Sequence, residues 1–249
     1  MIMKMGITET TIMKKIKKNG TLCYALIDSQ NEIDSYSIAS EVENLGASGI
    51  LIGGSSITDQ IELSKTITKL RSIVKIPLIL FPGNITGVVP GADAILFTSL
   101  LNSENPYYIT GAQAQGALII NKHNLETIPT AYLIIGEGST AWFVGQARSI
   151  PFDKPGIAIM YTLAAKYMGM RFLYLEAGSG SSRHVSPQMI AAVRKHYDGV
   201  LIVGGGITDS ETASNIAKAG ADIIVIGTLI EKQKNWQDEF QRIVTKIQK

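Results

Sequence analysis

The chain has 249 residues, 45% of them hydrophobic, a formal net charge of +2 and a single cysteine, Cys23. That content is ample for a sizeable core in one domain. The small net charge and scattered basic residues exclude an extended nucleic-acid interface, and one cysteine excludes an internal disulfide or a multi-cysteine metal site.

In chain order, the spacing of apolar residues predicts a helix over 8–18, then a strand at 22–27 with Cys23 inside it as a buried, inert thiol. A helix over 35–45, a strand at 49–52, a helix over 60–73 and strands at 78–81 and 94–97 follow. The second half reads as a helix over 111–120, a strand at 131–135, a helix over 157–168 and a strand at 172–175. A helix over 187–196, a strand at 200–203, a helix over 210–219, a strand at 223–226 and a polar closing helix over 232–249 complete the chain. Ser186 before Pro187 suits a helix N-cap, as does Asp209, while Gly46, Gly169 and Gly220 mark helix ends. The Gly-Ala-Ser-Gly run at 46–49 and the Ala-Gly-Ala-Asp run at 219–222 precede strands in the same way, a hint of internal repetition.

Eight strands alternating with helices predict an α/β fold, a (β/α)8 TIM barrel in a single domain over 1–249. The rival, a doubly wound open sheet, carries a glycine fingerprint after its first strand, where this chain reads Ile27-Asp-Ser-Gln30. The longest apolar stretches, such as 77–81, fall short of the ~20 residues that span a bilayer. The start, with Lys14, Lys15, Lys17 and Lys18, lacks the apolar run and cleavage site of a signal peptide, so a cytoplasmic protein is expected.

Catalytic side chains of a barrel come from the carboxyl ends of its strands. There the sequence places Asp28, Gly53-Gly-Ser-Ser56, Pro82-Gly-Asn84, Thr98-Ser99, Glu137, Glu176 and two glycine loops, with no lysine for a Schiff base and none of the three histidines. The runs Tyr174-Leu-Glu-Ala-Gly-Ser-Gly180, Val203-Gly-Gly-Gly-Ile207 and Ile226-Gly-Thr228 each follow an apolar strand. Backbone N–H groups in such loops can turn toward an anion, forming a phosphate cradle. Asp28 with Ser55 could give oxygens to Mg2+ shared with substrate phosphates, although Asp28 serves equally as a helix cap or loop carboxylate. Glu176 suits a general base for a hydroxyl, or else an ion pair across the barrel. A cradle plus a metal-assisted diphosphate points to transfer of an organic group from a diphosphate to an acceptor hydroxyl.

At these residues the chain resembles the geranylgeranylglyceryl phosphate synthases, archaeal TIM-barrel prenyltransferases. The runs that carry the likeness are Leu-Ile-Asp28, Gly53-Gly-Ser55, Phe81-Pro-Gly-Asn84, Ser99-Leu-Leu-Asn-Ser-Glu-Asn-Pro-Tyr107, Tyr174 to Gly180, Val203 to Ile207 and Gly227-Thr228. The resemblance implies a phosphoglycerol geranylgeranyltransferase. It would join geranylgeranyl diphosphate to the C3 hydroxyl of sn-glycerol 1-phosphate with Mg2+, forming the first ether bond of archaeal membrane phospholipids. By the same resemblance Tyr174, Leu175, Glu176, Ala177, Gly178, Ser179, Gly180, Gly205, Gly206, Gly227 and Thr228 form the glycerol 1-phosphate site, with Glu176 catalytic. Asp28 and Ser55 hold the metal, and Tyr108 and Trp142 belong to the prenyl groove, for which Phe97, Leu100, Leu101, Tyr107, Ile109, Tyr132, Ile135 and Phe143 are further candidates. A homo-oligomer is implied, with no nucleic-acid partner and no transmembrane segment, and a lipid product allows transient membrane contact. The family usually follows the first-strand aspartate with Pro-Asp, where this chain has Ser29-Gln30, so a nearby second carboxylate is missing. Ser181-Ser-Arg-His184 likewise replaces a family Ala-Pro, and solvent-exposed loop positions are expected for Arg183 and His184. The competing readings are the related heptaprenylglyceryl phosphate synthases, a phosphate-cradling isomerase or lyase of the indole-biosynthesis kind, and a barrel that binds without turnover.

Overall fold

The computed structural model describes residues 5–28, 32–53 and 59–248. Strands β1 (Leu22–Ile27), β2 (Gly49–Ile52), β3 (Leu78–Leu80), β4 (Ala94–Leu100), β5 (Glu126–Ile134), β6 (Phe172–Glu176), β7 (Val200–Gly204) and β8 (Ile223–Ile226) pair in parallel, each with the next. β8 pairs back onto β1, so the sheet closes into the expected barrel. Around it run α1 (Ile7–Asn19), α2 (Glu32–Asn44), α3 (Gln60–Ile73), α4 (Ala112–His123), α5 (Thr140–Val144), α6 (Pro155–Tyr167), α7 (Pro187–Arg194), α8 (Ser210–Lys218), α9 (Thr228–Lys232) and α10 (Trp236–Ile247). One π-helical turn, Tyr107–Gly111, leads into α4.

The start and stop signals act as read. Ser186 accepts from the Met189 N–H and Asp209 from the Thr212 N–H, and Gly46, Gly169 and Gly220 all take positive φ. Two strands exceed their apolar runs by three residues or more: β4 continues through Thr98 and Ser99 to Leu100, and β5 begins at Glu126, because the two pair from Ala94–Glu126 to Leu100–Tyr132. Strand pairing overrides the polar residues and Pro129 that interrupt the sequence pattern. Thr98 and Ser99 therefore lie inside a strand rather than after it, and the Ser99 hydroxyl is spent on the Ile109 carbonyl at 2.7 Å. The short helices α5 and α9 were not anticipated, since five residues give no periodicity to read.

Alternation along the strands makes two apolar layers. Tyr24, Leu51, Ile79, Leu96, Ile128, Phe172, Tyr174, Ile202 and Val225 fill the barrel, while Cys23, Ala25, Ile50, Leu173, Leu175 and Val203 pack outward against the helices. Burial pushes the Cys23 thiol pKa well up, which fits the inert role. Helix α1 closes the amino-terminal end: Ile12 joins the interior cluster, and the Glu126 carboxylate accepts the Thr8 and Glu9 N–H groups at 2.8 Å each. Buried Glu9 takes a two-point hydrogen bond from Arg171, at 2.5 and 2.8 Å. With that end sealed, chemistry is left to the carboxyl-terminal rim.

Candidate active site

Phe172, Tyr174 and Glu176 alternate inward along β6, so Glu176, the last strand residue, reaches the rim with its side chain still inside. It is 5% exposed, and its Oε1 accepts the Gly178 N–H at 2.6 Å. Burial raises the carboxyl pKa, while the Gly178 N–H and the nearby Tyr174 hydroxyl pull it back. That hydroxyl lies against the carboxylate without aligning into a hydrogen bond, and burial with the Glu176 charge holds both Tyr174 and Tyr132 well above the usual phenol range.

Two glycines make the arrangement sterically allowed. Gly204 pairs with Glu176 across the β6–β7 ladder, and a Cβ there would lie 2.4 Å from the Tyr174 hydroxyl and 3.0 Å from Glu176 Oε2. Gly205 has φ +85, and its Cβ would stand 2.5 Å from both Glu176 Oε1 and the Gly178 nitrogen. The Gly180 N–H donates to Thr228 Oγ1 at 2.9 Å, tying the loop after β6 to the start of α9. Among the described residues no hydrogen bond takes the N–H of Gly205, Gly206, Gly227 or Thr228. These amides are available to an anion.

The rim opens into a cavity of about 630 Å3 that runs from Asp28 and Gly53, past Glu176, to α4. Of the residues expected at the site, Tyr174, Glu176, Ser179, Gly205, Gly206, Gly227, Thr228, Asp28 and Tyr108 line it. Leu175 and Ala177 do not, because strand alternation turns both side chains into the outer layer. Gly178 and Gly180 stand behind the lining, their N–H groups spent on Glu176 and Thr228. Trp142 packs with Leu100, Ile134 and Ala147 instead of facing the cavity. Phe97, Leu100 and Tyr132 line it, whereas Leu101, Tyr107, Ile109, Ile135 and Phe143 do not. Glu137 accepts from the Ser149 hydroxyl at an exposed position, and Arg183 is exposed with its guanidinium over the Phe152 ring. Ser55 and the departure Ser29-Gln30 lie outside the described residues.

Sequence reasoning missed the far wall, formed by Phe81, Ile85, Val88, Leu96 and the α4 residues Ala112, Gly116 and Ile120. Their four-residue spacing on α4 is that of any helix packing face, so it carried no separate signal. The described lining includes three carboxylates, Asp28, Glu176 and Glu231, and no lysine, arginine or histidine. Among the described residues no group of three or more His, Cys, Asp or Glu could hold a metal alone. A magnesium ion, which needs only one or two carboxylates beside substrate phosphates, fits Asp28 at this mouth.

Residues 16–247 match the model of the PcrB family. The chain is 58% identical over 226 residues to the geranylgeranylglyceryl phosphate synthase of Nitrosopumilus maritimus, covering 90% of each chain. It is 56% identical over 229 residues to that of Cenarchaeum symbiosum, covering 91% of this chain and 93% of the other. In three dimensions it is similar to the crystal structure of (S)-3-O-geranylgeranylglyceryl phosphate synthase from Thermoplasma acidophilum in complex with its substrate sn-glycerol-1-phosphate. The TM-score is 0.92 at 38% identity, covering 98% of this chain and 99% of that one. The chain belongs to the PcrB family, with the geranylgeranylglyceryl phosphate synthases as its relatives.

Proposed function

We propose that the protein transfers the geranylgeranyl group of geranylgeranyl diphosphate to the C3 hydroxyl of sn-glycerol 1-phosphate, releasing diphosphate. The observation that carries this reading is one buried carboxylate, Glu176, standing between a row of available amides and a large, mostly apolar cavity. The relatives' shared activity and the glycerol phosphate complex of the Thermoplasma enzyme support the choice of acceptor.

The amides of Gly205, Gly206, Gly227 and Thr228 grip the acceptor's phosphate, which fixes the glycerol and removes the entropy cost of bringing the reactants together. Glu176 orients the C3 hydroxyl and takes its proton as the oxygen attacks C1 of the allylic chain. The raised pKa brings this base closer to neutrality, where it accepts a proton more readily than an exposed carboxylate does. The prenyl chain occupies the cavity toward Tyr108, Phe97 and α4. Asp28, with Ser55, would hold Mg2+, which when bound neutralises charge on the departing diphosphate.

A homo-oligomer in the cytoplasm belongs to the same reading. Leu118, Phe143, Met160 and Tyr167, each at least 69% exposed, supply apolar surface for subunit contact. No helix among the described residues is long and apolar enough to cross a membrane, so contact with one would be peripheral. The test is incubation with glycerol 1-phosphate, labelled geranylgeranyl diphosphate and Mg2+. An organic-extractable phosphate ester is expected, and its absence would overturn the assignment.

A further inference from the structure

We propose that three aromatic rings beside Glu176, those of Phe81, Tyr132 and Tyr174, form a cation-stabilising wall for the allylic carbon during transfer. The inference rests on the transferase reading above. The rings form one mutually contacting cluster: Phe81 stacks on Tyr174 with centroids 5.2 Å apart, and Tyr132 meets Phe81 edge-on at 5.5 Å and Tyr174 at 5.3 Å. All three line the cavity that Glu176 faces.

Position and charge both favour this role over simple filling. On β6 Tyr174 is the inward residue just before Glu176, and it pairs with Tyr132 while Glu176 pairs with Ile134, so the aromatic cluster lies directly beneath the carboxylate at the cavity. The described lining holds no basic side chain and three carboxylates, an environment that favours positive charge. Ring faces carry a negative quadrupole and attract a cation, most strongly where water is excluded. Tyr132 and Tyr174 remain neutral phenols at physiological pH because burial and the Glu176 charge oppose their ionisation.

The step balances as follows. The donor's C1–O bond breaks with its electron pair leaving on the diphosphate, and positive charge develops over the allylic carbons beside the rings. The C3 oxygen of glycerol phosphate supplies the pair for the new C1–O bond, and its proton passes to Glu176. The amides hold phosphate and the rings hold the cation, so opposite charges are met by different parts of the rim.

The experiment replaces Phe81 with phenylalanine analogues of increasing ring fluorination, which keep the ring's shape while draining negative charge from its face. The expected result is a stepwise fall in kcat, ~10-fold or more across the series, with KM for both substrates unchanged within about 2-fold. Tyr132→Phe should keep most of the parent kcat, because the ring remains, and Tyr132→Leu should lose it. A flat kcat across the fluorinated series in an active parent would overturn the inference alone. A parent that forms no ether product would overturn the transferase reading and this inference with it.

Discussion

Replacing Gly205 with alanine probes the point where backbone and catalysis meet. A methyl group at φ +85 strains the backbone by ~1–2 kcal/mol. Its Cβ would also sit 2.5 Å from Glu176 Oε1 and from the Gly178 nitrogen, so the carboxylate and the loop after β6 must part. The hydrogen bond lost there is to a charged group and is worth ~1.5–3 kcal/mol. Together these lower stability by a few kcal/mol, and a chain of this size loses about 2–4 °C in Tm per kcal/mol. The larger effect is chemical, because a displaced base forfeits most of the ~10^2–10^4-fold that positioned proton transfer contributes. Steady-state transfer kinetics with a thermal melt check both: kcat should fall at least ~100-fold while Tm falls by about 5–20 °C. A Gly205→Ala enzyme with parent kcat would refute the claim that this glycine holds Glu176 in place.

Glu176→Gln should keep glycerol 1-phosphate binding, measured by calorimetry, while kcat falls ~10^2–10^4-fold. The raised pKa of Glu176 also places the acidic limb of the parent's kcat/KM above the ordinary carboxylate range, and the limb should vanish in the glutamine variant. Stability carries the opposite sign: the buried acid favours folding below its ordinary pKa, and that contribution is lost as pH rises through the raised value. Glu176→Gln should therefore melt higher than the parent at neutral pH. Asp28→Ala should shift the Mg2+ titration of activity to higher concentration by ~10-fold or more, and an unchanged titration would remove Asp28 from the metal site. At the opposite end, Glu9→Ala leaves the Arg171 guanidinium without its two-point partner, costing ~2–4 kcal/mol. It should lower Tm with kcat unchanged, and a loss of kcat at equal fold would contradict the separation of stability and chemistry between the two barrel ends.

What could be read from sequence was whatever local chemistry dictates. Apolar runs gave β1, β2 and β8 to the residue, helical spacing gave α3, and Ser186 and Asp209 were recognisable as caps from side-chain type alone. Glu176 was found because it ends an apolar strand and precedes a glycine loop. Long-range pairing was not legible, so β4 and β5 were cut short at Thr98 and before Ala131. Strand alternation was available in principle and turns the side chains of Leu175 and Ala177 outward, on the face they share with Leu173. An aromatic near a strand end fits a core as well as a groove, and Trp142 here packs against the cluster of Leu100, Ile134 and Ala147. The α4 wall stayed hidden because Ala112, Gly116 and Ile120 become cavity lining only once β3, β4 and the helix are brought together.

The central claim is a division of labour, in which backbone amides hold the acceptor's phosphate while Glu176 receives its hydroxyl proton. A crystal structure of the protein with sn-glycerol 1-phosphate and an unreactive prenyl diphosphate analogue tests it most directly. The account predicts the phosphate on the amides of Gly205, Gly206, Gly227 and Thr228, with the C3 hydroxyl about 2.6–3.2 Å from a Glu176 oxygen. A phosphate bound away from those amides, or a C3 hydroxyl turned from Glu176 with both ligands in place, would contradict it.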